Sequence, residues 1–159
     1  MIQQGQALPT HTFSLLNNEG MQTLTTDDLF ANKKVIVFAL PGAFTPTCSN
    51  THLPGYVVNF DNFKALGVDS IICLSVNDAF VMKAWGEQQN AENLVMLADG
   101  DASFTKALGL EKDTGAFGGL RSQRYAMVVE NGVVSYLAVE AEKQFEVSSA
   151  EALLAHLSA

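Results

Sequence analysis

Residues 33–50 read KKVIVFALPGAFTPTCSN. The run from Val35 to Leu40 is continuous, apolar and rich in branched side chains. Such a run suits a central strand covered on both faces. Proline and glycine follow at once, so the strand must end near Leu40 and pass into a loop. Beyond the loop, Leu53, Val57, Phe60 and Phe63 recur at helical spacing. The spacing predicts a helix starting near Thr47, with a kink or a detached first turn at Pro54-Gly55. Cys48 therefore falls at a strand–loop–helix junction, in the first helical turn.

The same grammar continues on either side. HTFSLL (11–16) and MQTLT (21–25) flank NNEG, a hairpin turn. DSIICLSV (69–76) and VMLAD (95–99) are further apolar strands. Between them, Asn77 and Asp78 can cap a helix over AFVMKAWGEQQ (79–89). DASFTKALGL (101–110) reads as a short helix capped by Asp101 and ended by Gly109. RYAMVVENGVVSYLAVE (124–140) is two strands joined at Asn131-Gly132, a strong hairpin signal. The closing helix lies in SSAEALLAHLSA (148–159). There Ser148 and Glu151 have capping-box spacing, and Leu153, Leu154 and Leu157 form its apolar face. Alternating strands and helices followed by a hairpin and a helix predict an α/β fold. Its outline is thioredoxin-like: a central mixed β-sheet flanked by helices, with an added N-terminal β-hairpin.

A chain of 159 residues with 48% apolar and 16% charged side chains fits one domain, 1–159, with a core of its own. No apolar run approaches the roughly 20 residues needed to cross a bilayer, and the N-terminus does not read as a secretory signal. The formal charge of −8 disfavours nucleic acid and anionic membrane as partners. Two cysteines, Cys48 and Cys73, cannot supply a four-cysteine zinc site, and CxxC and phosphate-loop motifs are absent. A reducing cytoplasm is the expected setting.

Placement makes Cys48 chemically interesting. Free N–H groups and the helix dipole at a first turn favour a thiolate. Such sites and nearby cations bring a cysteine from about 8.5 down to roughly 3.5–7.5. A small buried hydrophobe is the bland alternative. The neighbours then add a pattern: Pro41, Thr45 and Cys48 form PxxxTxxC. This resembles the active-site signature of the peroxiredoxins. The longer segment ALPGAFTPTCSNTHLPGY (39–56) is similar to their Prx5, or type II, group. So are LSVNDAFVMKAW (74–85), LADGDASFTKALGL (97–110) and RSQRYAMVVENG (121–132).

The resemblance implies a thiol peroxidase acting on hydrogen peroxide and organic hydroperoxides. Cys48 would attack one peroxide oxygen and become a sulfenic acid. Arg124 matches the family arginine; it would start the hairpin strand and point toward the thiolate. Thr45 would bind a peroxide oxygen, against the plainer role of local hydrogen bonding to its loop. Pro41 would pack over the site, and Phe44 would add apolar cover or join a dimer contact. Exposed Phe80 would suit such a contact too. Arg121 fits an ordinary surface salt bridge. His52, four residues after Cys48, would take a supporting or substrate-channel role. His11 and His156 read as surface residues.

Cys73 lies in mid-strand, on one face with Ile71 and Ser75, and reads as a buried structural thiol. The chain has no later cysteine, so a one-cysteine cycle is expected, completed by an external thiol with no bound cofactor or metal. Glutathione with glutaredoxin is the favoured reductant, thioredoxin the second; no fused glutaredoxin domain is expected. The group also implies a homodimer. Two rivals stay open at this point. A cysteine hydrolase would depend on His52, and a non-catalytic module would need no reactive sulfur. All depends on the Cys48 sulfur lying uncapped beside a guanidinium.

Overall fold

The computed structural model describes residues 1–159. A hairpin of β1 (Thr12–Asn17) and β2 (Gly20–Thr25) opens the sheet. It is followed by α1 (Thr26–Phe30), β3 (Lys34–Leu40), α2 (Leu53–Val58), α3 (Phe60–Ala65), β4 (Ser70–Ser75), α4 (Ala79–Gln88) and β5 (Val95–Ala98). Next come α5 (Ser103–Leu108), β6 (Glu111–Asp113), β7 (Leu120–Ser122), β8 (Tyr125–Glu130), β9 (Val133–Val139) and α6 (Ala150–Ser158). Seven strands form one mixed sheet in the order β2-β1-β5-β4-β3-β8-β9. Strands β3, β4 and β5 run parallel, and β8 lies antiparallel against β3. This is the thioredoxin-like architecture with its added hairpin. No helix is long and apolar enough to cross a membrane.

Both faces of the sheet are covered, as the unbroken apolar run of β3 requires. Ile36, Phe38 and Leu40 face α2, α3, α4 and α6 through Tyr56, Phe63, Trp85 and Leu153. Val35, Val37 and Ala39 face α1 and α5 through Phe30, Phe104 and Leu108. Burial of one such large side chain contributes about 1.5–3 kcal/mol. Cys48 and Cys73 both belong to the first face.

Four local readings differ from expectation. Asp101 does not cap α5: its Oδ1 accepts only from Ser103 N, while buried Asp99 accepts from Phe104 N, Thr105 N and Thr105 Oγ1. Ser149, not Ser148, caps α6, accepting from Ala152 N at 3.1 Å. The first turn is set off before Pro54 as expected, as the segment Cys48–His52 ahead of α2, but a second break not expected falls at Asn59, whose Nδ2 donates back to Gly55 O. Short α1 and the β6–β7 pair carried no periodicity long enough to read. Asn131 and Gly132 do make the β8–β9 turn, with φ of 48° and 78°.

Candidate active site

Strand β3 delivers the chain to Pro41, and the loop from there to Thr45 is tied down at several points. Thr45 Oγ1 donates to Gly42 O at 2.7 Å, the local role. Ala43 N donates to Asn77 Oδ1 at 3.0 Å, fastening the loop to the start of α4. Asn77 is itself held by Ser75 Oγ at 2.6 Å. Arg121 makes no surface salt bridge. Its Nη1 donates to Pro41 O at 3.3 Å and its guanidinium lies over the Phe117 ring. A Cβ at position 42 would stand 2.6 Å from Arg121 Nη1, so a larger residue there would displace that guanidinium from Pro41 O.

The helix begins at Pro46, and Ser49 N donates to Thr45 O at 2.9 Å. Cys48 sits in this first turn. From Cys48 to His52 the backbone is a π-turn, with Leu53 N donating to Cys48 O. Pro54 has no N–H to continue the ordinary ladder, and a single π-turn is a common way to absorb the misfit. The turn directs Cys48 and His52 inward together, both at 0% exposure. The sulfur is thus covered rather than uncapped, because it packs with the core side chains of the α2–α3 face. Pro41, Thr47, Gln123, Arg124, Glu140 and Phe145 line a cleft of about 410 Å³ beside it.

Arg124 immediately precedes β8 and reaches the junction from the neighbouring strand. Its Nη2 donates to Cys48 Sγ at 3.2 Å, and its Nη1 donates to His52 Nδ1 at 2.8 Å. Its guanidinium also lies 5.8 Å from the Phe145 ring centroid. His52 Nε2 donates to Ser148 O at 3.1 Å, and Tyr56 OH donates to the same carbonyl at 2.8 Å. Burial first, then the charge of Arg124, push His52 down to about 3, so the ring is neutral. Behind it, Glu140 Oε2 accepts from Ser148 Oγ, Ser148 N and Glu146 N. On the other side of the turn, Trp85 Nε1 donates to Ser49 Oγ at 3.0 Å.

The fold therefore gathers Cys48, Arg124 and His52 into direct contact, with Pro41 on the cleft wall. Phe44 is half-exposed, with φ of 66°, and its ring centroid lies 6.3 Å from that of Trp85. Cys73 is fully buried in β4, and burial, then the proximity of Cys48, push its thiol well up. His11 packs edge-on to Phe13 at 4.7 Å, and exposed His156 stacks on Tyr136 at 3.7 Å. Glu140, Ser148, Asn77 and Trp85 support the site but were not singled out for it. They act across the fold and leave no spacing in the chain. No three His, Cys, Asp or Glu side chains converge as a metal site.

Residues 3–154 match the Redoxin family. The chain is 49% identical over 142 residues to a peroxiredoxin of Synechocystis, covering 84% of this chain and 75% of that protein. It is 45% identical to peroxiredoxin-2D of Arabidopsis thaliana over 156 residues, 96% of either chain. Its fold is similar to that of reduced Prx3 from Vibrio vulnificus in complex with hydrogen peroxide. The TM-score is 0.97, with 68% identity and 99% of each chain covered.

Proposed function

The chain belongs to the Redoxin family as a thiol-dependent peroxidase, a peroxiredoxin of the Prx5 or type II group, and from that premise we propose that Cys48 is its attacking sulfur. The observation that carries this reading is the contact of 3.2 Å between Arg124 Nη2 and Cys48 Sγ. The thiolate is the nucleophilic form, and a charge-assisted hydrogen bond from a permanently charged guanidinium supports it.

Peroxide enters by the cleft of Pro41 and Arg124, a local opening bares the covered sulfur, and a sulfur lone pair forms the new S–O bond. The O–O bond breaks, and its electron pair leaves on the second oxygen, which takes a proton and departs as water or an alcohol. Cys48 is oxidised by two electrons to a sulfenic acid. Arg124 stabilises the charge that moves to oxygen. The Thr45 hydroxyl spends its proton on Gly42 O and can meet a peroxide only as an acceptor, through its lone pairs, while Pro41 on the cleft wall limits water. Hydrogen peroxide and small organic hydroperoxides are the substrate class; the related Vibrio vulnificus protein holds hydrogen peroxide.

The cycle uses one cysteine. Cys73 is buried in mid-strand, so an external thiol condenses with the sulfenic acid, releasing water and leaving a mixed disulfide. A second thiol displaces Cys48 and carries the disulfide away. Glutathione with glutaredoxin is the favoured donor, thioredoxin the second, and no bound cofactor takes part. Two free cysteines suit a reducing cytoplasm. Phe44 and Phe80, 50% and 66% exposed, suit a homodimer contact.

The test pairs peroxide consumption by wild type and Cys48→Ser with each reductant. Loss in the variant, and faster turnover with glutathione and glutaredoxin, support the reading. Retained consumption by Cys48→Ser overturns the site. Turnover with thioredoxin alone overturns the reductant.

A further inference from the structure

Asp78 alone caps α4, its Oδ1 accepting from Val81 N at 2.8 Å. Asn77, the other capping candidate, turns its amide oxygen to the cysteine loop instead. That oxygen accepts from Ala43 N at 3.0 Å and from Ser75 Oγ at 2.6 Å. A backbone N–H can only donate, so the atom that faces Ala43 is the oxygen of the amide and not its nitrogen. Ser75 is fully buried in β4, level with Leu40 at the end of β3. Asn77 therefore ties the loop to the middle of the sheet.

The tie acts on one peptide. The Gly42–Ala43 bond is trans and planar, so its N–H and C=O point in opposite directions. Holding the N–H on Asn77 aims Gly42 O back into the loop, where it accepts from Thr45 Oγ1 at 2.7 Å and from Thr45 N at 3.4 Å. A hydroxyl has one proton and two lone pairs. With the proton drawn off to Gly42 O, lone pairs are what Thr45 can offer a hydroperoxide, whose O–H is a donor. Directly after the held N–H, Phe44 has φ of 66°. A side chain other than glycine keeps that conformation only where its surroundings enforce it.

We propose that Asn77 is a positioning residue of the peroxidase reaction: it orients the Gly42–Ala43 peptide, so that Gly42 O takes the Thr45 proton and the Thr45 oxygen is left to accept from the hydroperoxide. The proposal rests on the peroxidase reading of Cys48. Without Asn77 the peptide is free to turn and Gly42 O leaves Thr45. The hydroxyl then presents its proton to the site, donor against donor. Cys48 keeps its contact with Arg124 throughout, so the sulfur itself is not weakened.

Three measurements test this. In the wild-type protein, hydrogen exchange at the Ala43 amide should be slowed at least about tenfold against a free peptide, as a held N–H requires. Exchange at the free-peptide rate overturns the proposal with no variant needed. Second, stopped-flow Trp85 fluorescence reads the peroxide step in Asn77→Ala, which should slow about 10- to 100-fold, the scale of a misplaced substrate contact. Alkylation of Cys48 by iodoacetamide needs no acceptor at Thr45 and should stay within about threefold of wild type, because it follows thiolate reactivity alone. Equal slowing of both reactions would mark a merely structural role and overturns the proposal, as does an unchanged peroxide step. Third, in a Thr45→Val background there is no proton to direct, so adding Asn77→Ala should slow the peroxide step by less than about twofold. The full loss repeated in that background overturns the proposal. Failure of the peroxidase reading looks different: the wild type itself would then show no peroxide step.

Discussion

Arg124 Nη2 stands 3.2 Å from Cys48 Sγ, although 76 positions separate the two residues. Strand β8 pairs with β3 from Lys34↔Glu130 to Ala39↔Tyr125, and that register sets Arg124 level with the loop leaving Leu40. A slip of one residue would turn Arg124 to the other face of the sheet. The contact is thus a property of the sheet register as much as of the two side chains.

Arg124→Lys keeps the charge but not the fork, so it cannot serve Sγ and His52 Nδ1 in one geometry. We expect the peroxide step to slow by about 10²-fold, comparable to losing one preorganised donor. Stopped-flow oxidation measures it. A rate within threefold of wild type would show that charge alone suffices.

Stability should depend on His52 as pH falls. Its folded value is about 3, below an ordinary value of 6.5. Between those limits the unfolded chain binds a proton that the folded chain refuses, so stability drops as pH is lowered from 6.5 toward 3 and levels off below. The slope from this group approaches about 1.4 kcal/mol per pH unit. Urea midpoints of wild type and His52→Asn at pH 7, 6 and 5 check this; the variant should lose that slope. Exposed Asp28 and Asp101, also held low, act only under more acidic conditions.

Cys73→Ala should leave peroxide turnover within about twofold, because a buried mid-strand thiol gives no resolving chemistry. Packing loss should cost about 1 kcal/mol, the scale of a small core truncation. Steady-state assays and mass analysis of the oxidised protein decide. A Cys48–Cys73 disulfide in the wild type would end the one-cysteine cycle.

The two aspartates before α5 should separate cleanly. Asp99→Ala strands Phe104 N, Thr105 N and the Thr105 hydroxyl in a buried place, and should cost about 2–4 kcal/mol. Asp101→Ala removes one exposed bond and should cost under about 1 kcal/mol. Denaturant titration of both variants reads the difference.

Much of this molecule is written locally. The apolar run of β3, the Asn131-Gly132 turn and the strand–loop–helix junction at Cys48 each depend on a few neighbouring residues, so strand, turn and the place of the cysteine were legible. Ser148 shows where legibility stops. Its distance from Glu151 is right for a cap, yet Glu140 captures its hydroxyl and N–H, and the cap passes to Ser149. The contacts of His52 with Arg124 and Ser148 span 72 and 96 positions. Hydrogen bonds of that range follow from sheet register and helix docking, and local spacing carries no trace of them because chain distance does not fix spatial distance.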